Sequence, residues 1–381
     1  MSVFRSRSTL RWLVPSAAAA VVIGGGAAAG TIIASADPGL PERSAAQLLV
    51  DVQNAKVDGF SGTIVQSADL GLPKISGVTE GSGVAGNIAS LVAGSNTAKV
   101  WYAGEDKARI ALMQTDGETD VIRNGSDVWL WQSKEKTATH LKVPAGADNK
   151  KPEALPSGVP STPQEAADAA LAAIDDTTTV STTGAAKVAD RDAYELALSP
   201  KAKESLVGQV RLAIDAETHI PLRVDVYAKN ATSPAFRVAF QQISFDTPDA
   251  QQFAFNPPAG TKVTEANTAQ IEKDAQKNAK EHRAEVEKAR TEALAKGEGP
   301  KVVGEGWASI VTAKLPADTA AKGDQAKSAE GMLDMLPAVS GTWGKGHLFA
   351  GSLFSVLVTD DGRVFAGAVA PELLYQEAAK K

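Results

Sequence analysis

The 381-residue chain contains no cysteine. That absence removes disulfides, thiol nucleophiles, thiolate-ligated zinc, iron–sulfur clusters and lipid anchors on cysteine. Histidine is nearly as scarce. His140, His219, His282 and His347 are the full set, and no two lie at metal-ligand spacing, so no metal site is read. No G-x-S-x-G nucleophile elbow occurs, and Lys345 is followed by Gly346 where a Walker motif needs Ser or Thr. Gly81, Gly83 and Gly86 do spell G-x-G-x-x-G, but Pro73 and no buried strand precede them, so a plain loop is the reading. The acid pairs Asp175/Asp176 and Asp360/Asp361 fit turn chemistry. His219 with Asp215 is the remaining pair an enzyme could use; no catalytic set is assigned and no cofactor is expected. A concentrated basic face is also missing at a net charge of −6, which argues against nucleic acid as the partner. Aromatic residues make up only 5% of the chain, so its core must be mainly aliphatic.

Long apolar runs are absent too, with one exception. Arg5, Arg7 and Arg11 precede an uncharged stretch from Trp12 to Ala36, long enough to cross a bilayer core, which takes about 20 residues. Basic residues on the leading side place residues 1–11 in the cytoplasm and everything after 36 outside. Ala34-Ser35-Ala36 also fits a signal-peptidase site, so a cleaved secretion signal competes with a retained anchor.

Downstream, residues 41–57 read as an amphipathic helix, with Ala45, Leu48, Leu49 and Val52 on one face and Ser44 as its cap. Short β-type runs follow at 60–67, 98–103, 108–114, 119–123 and 127–132, punctuated by Asp116-Gly117 and Asn124-Gly125. A Gly-rich stretch, 68–97, interrupts them and reads as a flap with a short helical candidate at 87–93. After a Pro/Gly/Lys-rich loop, 144–161, Thr162-Pro163-Gln164-Glu165 forms a capping box for a small-residue helix reaching Ile174. A second meander covers 192–198, 206–214, 220–227, 235–245 and 252–255. There Leu222, Val224 and Val226 share one face and Arg223 and Asp225 the other, the pattern of an antiparallel sheet covered on one side. Residues 265–298 turn helical and highly charged, the composition of a solvated arm. Residues 301–381 hold β-type runs at 302–313 and 353–369, the latter a hairpin at Asp360-Asp361-Gly362. They are expected to pack as a hairpin segment on the same sheet, before a helix at 371–379.

Several stretches together resemble the actinobacterial LolA-like proteins, relatives of the lipoprotein carrier LolA and of the RseB/MucB sensor domain. They are Gly71-Leu72-Pro73, SLVAG at 90–94, VWYAG at 100–104, VIRNGSDVWLWQS at 121–133, the 163–174 helix, 198–227 with its IPLR at 220–223, and FAFNPPAG at 253–260. The resemblance covers about residues 41–263, with a looser match over 302–373 including LVTDDGRVFAGAV at 357–369. It implies an α+β fold, an incompletely closed antiparallel β-barrel with helices covering its concave face. It also implies noncovalent binding of a lipid or lipoprotein acyl chain there. The domain plan is then an anchor or signal at 12–36, a binding domain at 37–264, the charged arm at 265–300 and the tail from 301. Ile64, Trp101, Ile110, Leu112, Trp129, Trp131, Leu212, Leu222, Val224, Phe236, Val238 and Phe240 are the expected lining, with Leu48, Leu49 and Val52 as lid. The phase of the first meander is open, so Trp101 exchanges with Val100 and Tyr102 if the strand faces the other way. The alternative is an RseB-like envelope sensor that binds an anti-sigma factor or another membrane protein.

Overall fold

A computed structural model describes residues 39–71, 94–114, 117–143, 162–172, 174–266, 299–314, 333 and 336–380. The segment 12–36 with its basic flank, the helical candidate at 87–93, the loop 144–161, most of the charged arm (267–298) and residues 315–332 lie outside them. Among the described residues no helix is long and apolar enough to cross a membrane.

Twelve strands form one large curved sheet. In chain order they are β1 (Phe60–Ala68), β2 (Gly94–Tyr102), β3 (Lys107–Gln114), β4 (Gly117–Asn124), β5 (Asp127–Gln132) and β6 (Thr137–Lys142). Then come β7 (Thr178–Val188), β8 (Arg191–Pro200), β9 (Val207–Asp215), β10 (Pro221–Ala228), β11 (Pro234–Ser244) and β12 (Lys262–Ala266). Their spatial order is β12-β6-β5-β4-β3-β2-β1-β11-β10-β9-β8-β7, so the two meanders join where β1 pairs with β11. The sheet ends in two edges, β12 and β7, and is not closed into a barrel. All pairings are antiparallel except β12 on β6. The β4–β5 hairpin turns at Gly125 (φ 63°) and Ser126, one residue later than the Asn-Gly dipeptide suggests. A glycine at the first central position of a two-residue turn suits the strand twist.

Two helices pack on one face of the second meander. In α1 (Ala45–Asn54) the Ser44 hydroxyl accepts the Gln47 N–H while the Gln47 side chain returns to the Ser44 N–H, a complete capping box. This helix contacts β7 and β8 with Leu48 and Val52 buried, and α2 (Pro163–Ala172) contacts β10 and β11 through Ala166 and Ala167. Small side chains on α2 let it approach closely. Beneath the helices Leu196, Leu198, Leu212, Ile214, Leu222, Val224 and Val238 are at most 1% exposed and belong to one core with Leu48, Val52, Ile64, Val100, Phe236 and Phe240. At about 1.5–3 kcal/mol per large aliphatic side chain, this cluster is the main source of stability.

The opposite face of β8–β11 is charged yet largely covered. Ala193, Ala197 and Ala213 leave space for arginines to lie flat on the strands. Asp225, fully buried, accepts Arg237 Nε at 2.5 Å and Nη2 at 2.9 Å, and forms an ion pair with Arg223, whose Nε lies 3.1 Å away without a hydrogen bond. Arg223 also reaches Glu195 at 2.9 Å, and Arg211 stacks over the Tyr227 ring. Each buried carboxylate is therefore paired, as burial of charge demands.

The tail is larger than the hairpin expected for it. Six strands, β13 (Lys301–Val303), β14 (Ile310–Lys314), β15 (Ala338–Gly341), β16 (Gly344–Ala350), β17 (Ser355–Thr359) and β18 (Arg363–Gly367), build a second sheet ordered β13-β14-β18-β17-β16-β15. With α3 (Pro371–Ala379) it has its own core of Ile310, Leu348, Leu357, Phe365, Val369, Leu374 and Ala378. None of these strands joins the ladder of the first sheet. They touch it through Leu353 and Ala368, a Leu206 N–H to Ala368 carbonyl bond of 2.7 Å, and Trp307 Nε1 to the Thr178 hydroxyl at 2.8 Å.

Candidate functional site

Cross-strand register decides which expected lining residues can meet, because directly opposed residues of paired strands share a face. Ile64 opposes Ala98 on β2 and Phe240 on β11, and Ala98 opposes Leu112 on β3. Val100 opposes Ile110, Ile110 opposes Val121, and Val121 opposes Leu130. Across β1–β11 the same face continues through Val238 to Val224 and Leu212. Ile64, Ile110, Leu112, Leu212, Leu222, Val224, Phe236, Val238 and Phe240 thus stand on one face, with Leu48 and Val52 over its second half. Leu49 is half-buried against the same core.

The three tryptophans stand on the other face. Trp101 opposes Arg109, Arg109 opposes Ile122, Ile122 opposes Trp129 and Trp129 opposes His140; Trp131 follows Trp129 by two residues. The twelve residues therefore do not line a single space. On β2 the phase is the alternative one, with Val100 entering the core at 6% exposure. The tryptophan face has its own cover. Residues 245–266 form a strap that leaves β11, crosses β3 and β4 at a short 3-10 turn (Ala250–Phe253), and ends as β12. The run at 252–255 is accordingly not a strand of the sheet, and Glu265 and Ala266 are strand, not helix. Phe253 is 1% exposed. Phe255 packs against Trp129 and Trp131 at ring distances of 5.2 and 6.0 Å, and Trp129 stacks on His140 at 4.2 Å. Fully buried Asp120 accepts Arg109 Nε at 3.0 Å and Nη2 at 2.5 Å on one oxygen, and Arg109 reaches the Gln252 carbonyl at 3.4 Å.

That leaves one part of the apolar face open. Ile110 and Val121 are 41% and 45% exposed at the centre of the row Val100–Ile110–Val121–Leu130, while Val100 at its inner end is buried. Leu112, Val128 and Leu130 beside them are half-buried, and Thr139 ends the row on β6. An apolar strip thus runs outward from the core onto a sheet face that no described element covers. Two grooves of about 300 and 320 Å³ lie elsewhere. The first is lined by Gly39, Leu40, Ala185, Ala186, Lys187 and Asp192, the second by Trp101 among Ser61, Thr63, Lys99, Gln242 and Ser244. Neither is lined by the aliphatic side chains that converge beneath α1 and α2.

The side chains of His219 and Asp215 have separate partners. Asp215 is 1% exposed and holds the β9–β10 turn, accepting both Arg191 Nε (2.5 Å) and Nη2 (3.0 Å), the Thr218 N–H and hydroxyl, and the Glu217 N–H. Burial works against its charge, but the bonds from Arg191 and Thr218 outweigh that and keep its carboxyl below the usual carboxylate range. His219 faces Asp51 of α1 at 3.9 Å. Among the described residues no three potential metal ligands cluster.

Residues 90–264 match the sequence model of the MucB/RseB N-terminal domain. No curated protein matches the chain. Similar solved structures include the MucA/MucB complex of Pseudomonas aeruginosa, at 14% identity and a TM-score of 0.37, covering 87% of this chain and 94% of that one. A LolA superfamily protein from Nitrosomonas europaea is 10% identical with a TM-score of 0.22, covering 56% and 99%. An outer membrane lipoprotein-sorting protein domain from Vibrio parahaemolyticus is 12% identical with a TM-score of 0.20, covering 54% and 95%.

Proposed function

We propose that the chain is a noncatalytic binding protein of the extracytoplasmic space that accepts an acyl chain of a lipid or lipoprotein on the open apolar face of β3–β5. The carrying observation is the row Val100–Ile110–Val121–Leu130, in which the two central side chains stay wet although they continue the core. On a solvated sheet face such positions are ordinarily polar. The helix-covered face is read as the concave one. Its second half is filled by its own side chains and supplies rigidity; the first half supplies the contact surface. Each buried CH₂ gains about 0.8 kcal/mol against water, and leaving a bilayer forfeits a similar amount, so transfer between the two costs little. Residues 12–36 would hold the chain at the membrane or direct its secretion.

Native mass spectrometry of protein purified from membranes, together with titration of a fluorescent fatty acid, tests this reading. A co-purifying lipid and saturable probe binding are expected. Absence of both a co-purifying lipid and saturable probe binding would refute it.

The second reading is an RseB-like envelope sensor that binds an anti-sigma factor or other membrane protein. The match over residues 90–264 and the filled interior beneath α1 and α2 favour it. Recovery of one stoichiometric membrane protein with no lipid would select it over the first.

A further inference from the structure

We propose that His140 is a protonation-dependent latch that fastens the end of the strap to the edge of the large sheet. The strap ends in β12, whose residues Lys262, Val263, Thr264 and Glu265 are exposed and whose pairing with β6 is parallel. Parallel pairing is slightly the weaker kind, and so little burial gives such a strand few other means of attachment. Its ladder covers five residues, and one side-chain clasp adds to it. The His140 ring, 8% exposed, lies flat on Trp129 with an interplanar angle of 14°. Its Nε2 is 2.8 Å from Asp127 Oδ1 on β5, and its Nδ1 is 2.8 Å from Glu265 Oε2 on β12.

Both partners are carboxylates, which accept and do not donate when ionised. A neutral imidazole has one N–H and one lone pair, so it can satisfy only one of them; the lone pair then faces the other carboxylate. Only the imidazolium donates to both. Among the described residues the charged groups around it are Asp127 from β5, Glu265 from β12 and, on its own strand, Lys142 two residues on. Acid therefore closes the clasp and alkali opens it. Opening frees the outer edge of β6, whose unpaired backbone groups can template an incoming extended segment.

Amide hydrogen exchange over residues 262–266 tests the latch, with each rate divided by its intrinsic value at that pH. In the native chain protection should fall about tenfold from pH 5 to pH 8, near the worth of one charge-assisted hydrogen bond. In His140→Gln it should be equal at both pH values. Native protection that does not change, or an equal fall in His140→Gln, would overturn the proposal. Glu265→Gln, on the exposed edge, guards against disturbance of the Trp129 stack. It should lose most of the pH dependence with an unchanged far-UV circular dichroism spectrum, and full retention of that dependence would also contradict the latch.

Discussion

Replacing Ile110 and Val121 together by threonine separates binding from folding. Threonine keeps the β-branch and the strand preference, so the backbone has no reason to move. In the free protein the two side chains are 41% and 45% exposed, so a bound chain can still cover a little under half of each. With full burial worth about 1.5–3 kcal/mol, the uncovered part is worth roughly 0.6–1.2 kcal/mol per residue. The pair then contributes about 1–2.5 kcal/mol to ligand affinity, which is roughly 5- to 60-fold, with the lower half expected because threonine retains a methyl. Titration of a fluorescent fatty acid reads the affinity, and urea denaturation reads the stability. The double variant should bind about tenfold more weakly while its denaturation slope stays that of the native protein. Unchanged affinity in a folded double variant would refute the assignment of this row as the contact surface.

Three further outcomes follow from the same geometry. Leu212→Ala, at a fully buried position beneath the helices, should cost about 3 kcal/mol in urea denaturation and leave probe affinity unchanged where the protein remains folded. Asp215→Asn tests acid stability. A carboxyl held below its usual range adds stability that is complete above the unfolded value near 3.9 and disappears as pH falls through the lower folded value. The variant should therefore be about 2 kcal/mol less stable at pH 7, and the gap to the native protein should close as the medium is acidified towards pH 2, followed by thermal unfolding. Phe253→Ala should loosen the strap at a cost of about 3–4 kcal/mol and shift tryptophan emission to longer wavelength as water reaches Trp129 and Trp131.

Much of the fold was legible because alternation and caps are local signals. The residues 127–132 read as a run are the strand β5, and the 371–379 helix is α3. Leu222, Val224, Phe236, Val238 and Phe240 sit on one face, as their period of two indicates. The Ser44 and Thr162 caps appear where their side chains suggest, Thr162 accepting the Glu165 N–H at 3.1 Å. What failed depends on partners distant in sequence. In β5 both Val128/Leu130 and Trp129/Trp131 are apolar, so alternation cannot say which pair faces Ile110; only register does. The strap contains Phe253 and Phe255, whose alternation reads as a strand, whereas contacts with β3 and β4 make it a 3-10 turn there. Strands β6, β7 and β12 are rich in Thr, Lys, Gly and Ala, residues that give no apolar alternation, and they form because a neighbour offers a ladder. The exposed strip was hidden for the same reason: Ile110 and Val121 look like any buried strand residue until their surroundings are known.

Photolabelling with a fatty acid that carries a diazirine in its tail, followed by peptide mapping, tests the location of the ligand most directly. We expect crosslinks on β3–β5, centred on Ile110, Val121 and Leu130. Crosslinks confined to Leu48, Val52 and the strands beneath α1 and α2, or none above a non-binding control, would contradict it.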